Sequence, residues 1–129
     1  MPRLSARLAL GFGIFLAIAE AVRNHGNWQW WPFWLVDYIA VGLLVAGALM
    51  TLRARRGAAP VLAGAWGFTT AMFYMSFWSH IEHLDEAAEG NIEQGPLTLI
   101  IGVLWVITIV GFATSLAAGR ARKAGEAPN

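Results

Sequence analysis

Cysteine is absent from this 129-residue chain. That excludes a disulfide framework, thiolate metal sites and dithiol redox chemistry. Charge is scarce as well: 13% of the residues are Asp, Glu, Lys or Arg, against about 25% in an ordinary soluble domain. Lysine is nearly missing, one against eight arginines, and with the abundance of Ala and Gly this bias points to a GC-rich bacterial genome. There is no Gly-rich phosphate loop, no serine set beside a partner base in a nucleophile motif, and no dinucleotide-binding fingerprint.

Hydrophobic residues fill the space that charge leaves, at 57% of the chain. Four apolar segments, residues 4–24, 33–52, 58–84 and 96–118, approach or exceed the roughly 20 residues needed to cross about 30 Å of hydrocarbon. In lipid every backbone N–H and C=O must be satisfied within its own segment, so each is predicted to be a helix. The predicted fold is all-α: an integral-membrane, antiparallel four-helix bundle forming one membrane domain over residues 1–129. The joints carry breakers (Gly26 and Trp31-Pro32, then Arg53 to Pro60, then Gly90 to Pro96). Pro32 and Pro96 each open a helix, where a first-turn proline forfeits no hydrogen bond. Residues 119–129 have the composition of a disordered tail.

Charge orients the bundle. Arg3, Arg7, Arg53, Arg55, Arg56, Arg120, Arg122 and Lys123 fall at the N-terminus, in the second joint and in the tail. The positive-inside rule makes that face cytoplasmic, with both termini inside a bacterial inner membrane. Glu20, Asp37, Glu82, Asp85, Glu86, Glu89 and Glu93 fall on the opposite side, and an acidic outer surface excludes nucleic acid as a partner there. The expected partners are the lipid bilayer and then a second membrane protein or a second copy of the chain. Met1 to Arg7, an apolar run and Ala17-Ile18-Ala19 also match a cleavable signal peptide. Cleavage would start the mature chain at Glu20 and leave three spans.

Four of the seven tryptophans, Trp28, Trp30, Trp31 and Trp34, cluster in the first joint. At the outer rim they are expected to form an interfacial aromatic belt, with indoles at headgroup depth. A ligand-stacking box is the alternative.

Helical spacing then selects the polar residues that face neighbours. Ala9, Gly13, Ala17, Glu20 and Asn24 lie on one stripe of the first helix, so Glu20 is expected to point into the bundle. Its pairing with Arg23, Asn24 or another helix is the purely structural alternative. On the third helix Thr69, Met72, Ser76, Ser79, His80 and His83 share an arc predicted to face the bundle. Tyr74, Phe77, Trp78, Ile81 and Leu84 are predicted to face lipid. Asp37 lies about one turn inside the second helix, so Glu20, Asp37, His80 and His83 come from three helices at similar depth. Two imidazoles with two carboxylates suit a divalent metal ion or a proton relay. The Glu-x-x-His element of di-iron bundles is absent, because Phe77 precedes His80 by three and His80 precedes His83 by three. Haem is disfavoured: His80 and His83 share one helix and cannot grip a haem from opposite faces, which would force His25 into service. Met72 lies about 12 Å from His80 along the helix and cannot share an ion with it. On the fourth helix Thr98, Gly102, Trp105 and Ile109 share a face, and Gly102 is expected to let the first helix approach.

Leu16-Ala17-Ile18-Ala19-Glu20-Ala21-Val22, in a chain of four short spans, resembles the first helix of the small multidrug resistance transporters. The resemblance covers that helix and that glutamate. It implies a residue that exchanges protons for a cationic drug within an antiparallel dimer. The strong inside-positive bias departs from the dual insertion that some of those transporters use, and the histidines of the third helix have no counterpart in the pattern.

Three functions follow as expectations. The first is an outward-facing polar site that binds a cation or relays protons, in a small transporter or sensor. The second is a non-catalytic accessory or assembly subunit of a larger membrane complex. The third is a membrane enzyme that acts on a lipid or quinone through a His/Glu acid-base pair.

Overall fold

A computed structural model describes residues 2–26, 28–87 and 91–126. Four helices account for nearly all of them: α1 (Pro2–Asn24), α2 (Trp31–Leu52), α3 (Ala58–Glu82) and α4 (Gln94–Glu126). Pro32 and Pro96 each sit in the first turn of their helix, as expected. The α2–α3 joint turns through Ala54 and Gly57, both with positive φ; Gly57, at 76°, meets no Cβ penalty there.

Side-chain contacts show the up-and-down order. Gly13 of α1 packs on Leu44 and Val45 of α2, while Tyr38, nearer the start of α2, donates to the Ala17 carbonyl (3.3 Å). Gly67 and Gly102 meet Phe112 and Phe77 across α3 and α4, again in opposite directions. At one end Ser5 Oγ donates to the Gly111 carbonyl (3.4 Å) and accepts from Trp66 Nε1 (3.1 Å), tying α1, α3 and α4 together. At the other end Asn91 Nδ2 donates to the Val22 and His25 carbonyls (3.0 and 2.9 Å). The bundle therefore has an arginine end, with the start of α1, the end of α4 and the α2–α3 joint, and an aromatic end, where α1 passes to α2 and α3 to α4.

Size runs opposite to that of a water-soluble core. Ala6, Ala9, Ala40, Ala48 and Ala65 are buried beside a few large residues such as Phe12, Leu44 and Trp66, while Ile14, Ile18, Leu99, Val103 and Val106 are exposed. Small residues inside let backbones approach closely, and large aliphatics outside suit a lipid solvent. Helices α1, α2 and α4 are each long and apolar enough to cross a membrane. The 25-residue α3 has the length but not the apolarity. Thr69, Thr70, Ser76, Ser79, His80 and Glu82 dilute it.

The helix-face expectations hold in part. On α1, Ala9, Gly13, Glu20 and Asn24 of the expected stripe are buried and Ala17 is half-buried. On α3, Tyr74 and Trp78 are exposed as expected, but Phe77 is not a lipid-facing residue. Its ring stacks on Trp105 of α4 (centroids 5.6 Å apart, 27° between planes) and sits over Gly102. Gly102 thus admits Phe77 of α3 rather than α1, and Ile109 is exposed. A tail beginning at residue 119 is also not what is found, since α4 continues to Glu126. Residues 120–126 are rich in the helix formers Ala, Arg and Lys, and Arg122 pairs with Glu126 one turn on (3.0 Å). Residues 127–129 lie outside the described residues.

Candidate functional site: a polar cleft between α2 and α3

Helices α2 and α3 are pressed together near the arginine end. A Cβ built on Gly47 would lie 2.9 Å from Leu62 Cα, so the backbones touch there and only glycine fits. Toward the aromatic end the same two helices border a cleft of about 820 Å³. One wall is the second half of α3: Phe68, Ala71, Met72 and Met75, then Ser76, Ser79, His80 and His83. The facing wall is the start of α2, with Phe33, Val36 and Asp37, and Arg23 and Gln94 reach in from α1 and α4. Of the stripe predicted on α3 to face the bundle, Thr69 is buried, while Met72, Ser76, Ser79, His80 and His83 line this open space instead. Ser79 and His83 are exposed, and Ser76 and His80 half-buried.

Both histidines are held by their own helix. Nδ1 of His80 lies 2.7 Å from the Ser76 carbonyl, and Nδ1 of His83 lies 2.7 Å from the Ser79 carbonyl. A carbonyl only accepts, so Nδ1 carries the proton in each ring, and Nε2 is the basic nitrogen of the neutral form. Gln94 Nε2 donates to the His80 carbonyl (3.5 Å), joining α4 to this end of α3. His83 lies just past the last residue of α3, where the Ser79 hydrogen bond first and the Glu86 charge second raise its pKa above the ordinary 6.5. His25 is exposed and does not line the cleft.

Glu20 is buried at 5% exposure, as its stripe implied, but its partners are on its own helix. Asn24 Nδ2 donates to its Oε1 (2.7 Å), and Arg23 Nη1 lies 3.8 Å from its Oε2. Asn24 Oδ1 in turn accepts from the Gln29 backbone N–H (3.2 Å), so the carboxylate is built into the α1–α2 joint. The half-buried Asp37 lies within electrostatic reach of Glu20 and Arg23. Arg23 is the residue that the sequence reading passed over as more than a pairing partner. It lines the cleft, and its Nε is buried with no hydrogen-bond partner among the described residues.

Of the four residues expected to act together, Asp37, His80 and His83 share the cleft wall, while Glu20 stands behind Arg23. Among the described residues no three His, Asp or Glu side chains gather as ligands for one ion. Trp28, Trp30 and Trp31 are exposed, and an edge-on series links Trp28 to Trp34 (5.5 Å) and Trp34 to Tyr38 (6.1 Å). None of the four tryptophans lines the cleft. Comparison with family models, with curated proteins and with solved structures finds no match to this chain.

Proposed function

We propose that this chain is a small multi-span protein of a bacterial inner membrane, with both termini cytoplasmic. In this reading its cleft faces outward and relays protons among Asp37, His80 and His83, within a small transporter or sensor. The observation that carries this reading is the shared cleft, whose lining includes the Asp37 carboxylate of α2 and the imidazoles of His80 on α3 and His83 just past its end. Imidazole changes charge near neutral pH and exchanges protons readily with a nearby carboxylate. Glu20 and Arg23 act beside it as a fixed ion pair that orders the joint.

Orientation in this proposal follows the basic residues at the arginine end and the tryptophans at the other. Helix α3 is the fourth span, running beside α4 with Phe77 and Gly67 packed against it. A divalent cation held by the full set Glu20, Asp37, His80 and His83 has less support, because Glu20 is already engaged by Asn24 and Arg23. The test is an NMR titration of the histidine imidazoles in micelles, with and without Asp37→Asn. A proton relay requires the His80 titration to move when the carboxylate is removed. If both histidines titrate unchanged, Asp37 is not part of a shared proton site.

A further inference from the structure

We infer that the cleft takes a neutral membrane amphiphile with carbonyl oxygens on a ring and an apolar tail, the chemistry of a membrane quinone. The inference rests on the reading of the cleft as a binding site and names what would occupy it. Its first support is the direction of the polarity gradient. Along α3 the wall is apolar from Phe68 through Met75 and polar from Ser76 through His83. Each stretch spans roughly 10 Å at 1.5 Å per residue. The gradient runs along the helix axis, as the head and tail of a membrane amphiphile would. Met75 is 68% exposed and Phe68 38% exposed, so the apolar stretch opens sideways, away from the bundle. The volume, about 820 Å³, falls within the range of small-molecule sites and suits a ring with the first part of a tail.

The head is selected by hydrogen bonding and charge. Arg23 brings a guanidinium, which only donates, to the lining of the cleft, so an occupant with an acceptor oxygen is favoured. An anionic head would find the guanidinium already shared with Glu20 and two more carboxylates, Asp37 and Glu86, close by. A cationic head would sit beside the Arg23 guanidinium and two imidazoles. A neutral carbonyl avoids both penalties, and Phe33 offers an aromatic face at the polar end for a flat ring.

The test is equilibrium binding of decylbenzoquinone to the purified full-length chain in micelles. Tail-less benzoquinone, decanoate and monodecanoylglycerol are the comparison probes. Decylbenzoquinone should bind about tenfold or more tighter than tail-less benzoquinone, which keeps the carbonyls but loses the buried tail, and about tenfold or more tighter than decanoate, which keeps the tail but loses the neutral ring head. It should also exceed the glyceride, whose ester carbonyl lacks the ring. Met72→Trp, which fills the apolar stretch of the lining, and Arg23→Lys, which keeps the charge but removes the planar guanidinium, should each weaken it several-fold with the fold retained by circular dichroism. Decanoate binding as tightly as the quinone would overturn the neutral head, and an equal glyceride would overturn the ring. Indifference to Met72→Trp would place binding elsewhere. If no quinone binds while Asp37→Asn still moves the His80 titration, the ligand class falls and the proton site stands; if both fail, so does the cleft as a functional site.

Discussion

The closed end of the cleft depends on one hydrogen atom, the absent side chain of Gly47. A Cβ there would lie 2.9 Å from Leu62 Cα and 3.1 Å from Leu62 N. Both are backbone atoms, so no rotamer change can relieve the contact, and α2 and α3 must separate by about half an ångström to reach an ordinary distance. Such overpacking costs about 1–3 kcal/mol. Alanine also gains about 1 kcal/mol over glycine in a helix interior, so Gly47→Ala alone could look nearly neutral. Gly42 on the same helix removes the ambiguity, because nothing lies within 4 Å of its would-be Cβ. Gly42→Ala takes the propensity gain without the clash, and the difference between the two substitutions isolates the packing at about 1–3 kcal/mol. The measurement is reversible unfolding in mixed micelles, with amide spectra of both variants. Gly47→Ala should also shift the resonances of the cleft wall around Asp37 and Ser76, which Gly42→Ala leaves in place. Equal stabilities within about 0.5 kcal/mol, the scatter expected for independent sites, would refute the claim that backbone contact at Gly47 sets the spacing of α2 and α3.

Gly111→Ala would put a Cβ within 2.6 Å of three Trp66 ring atoms, Cε2, Cδ2 and Cζ2, and so displace the indole from its bond to Ser5. A loss of about 2–4 kcal/mol is expected, from overpacking with one hydrogen bond, and an unchanged unfolding transition would contradict it. Asn24→Ala removes the donor to Glu20 Oε1 and the acceptor for Gln29 N–H; it should cost about 1.5–3 kcal/mol, the range for a hydrogen bond to a charged group, in the same unfolding assay. His83 should titrate above 6.5 by NMR, and Glu86→Gln should lower it part of the way, since the Ser79 bond remains. Because the folded-state pKa is raised, its small contribution to stability is present below pH 6.5 and fades as pH rises through the folded value. Single cysteines at positions 27 and 91 should be labelled from outside intact cells and one at position 55 should not; the reverse pattern would invert the proposed orientation.

Much of the fold was legible because long apolar runs leave few options. Apolar runs of spanning length, bounded by Pro32, Gly57 and Pro96, placed four helices to within about two residues at most of their ends, the precision such boundaries allow. The α1 stripe was equally legible, since small residues at steps of three and four have one reason to align in a membrane helix. Phe77 was not. Helical spacing grouped it with Tyr74 and Trp78, but Gly102 on α4 supplies a socket that periodicity on α3 alone cannot reveal. The course of α4 past Ala118 was missed for a different reason. Polar composition signals departure from the membrane, and a helix can leave the membrane without ending. At 33 residues α4 is about 50 Å long at 1.5 Å per residue, well beyond the hydrocarbon thickness.

The site shows where spacing stops being enough. Glu20, Asp37, His80 and His83 were grouped by depth, but depth says nothing about whether a neighbour on the same helix intervenes. Asn24 and Arg23, four and three residues on, take up Glu20, and the pairing that spacing offered as the structural alternative is the one found. What spacing could not show is that α2 and α3 part toward the aromatic end. The low apolarity of α3 and the cleft are two aspects of one arrangement. A helix bearing Ser76, Ser79 and His80 would be costly to lay against lipid tails. Placed along an opening that α2 closes with Asp37 and α1 with Arg23, the same side chains have polar neighbours and room for water or a ligand head. Filling that opening with apolar packing would strand them, so polarity on α3 and open space beside it have to be kept or lost together.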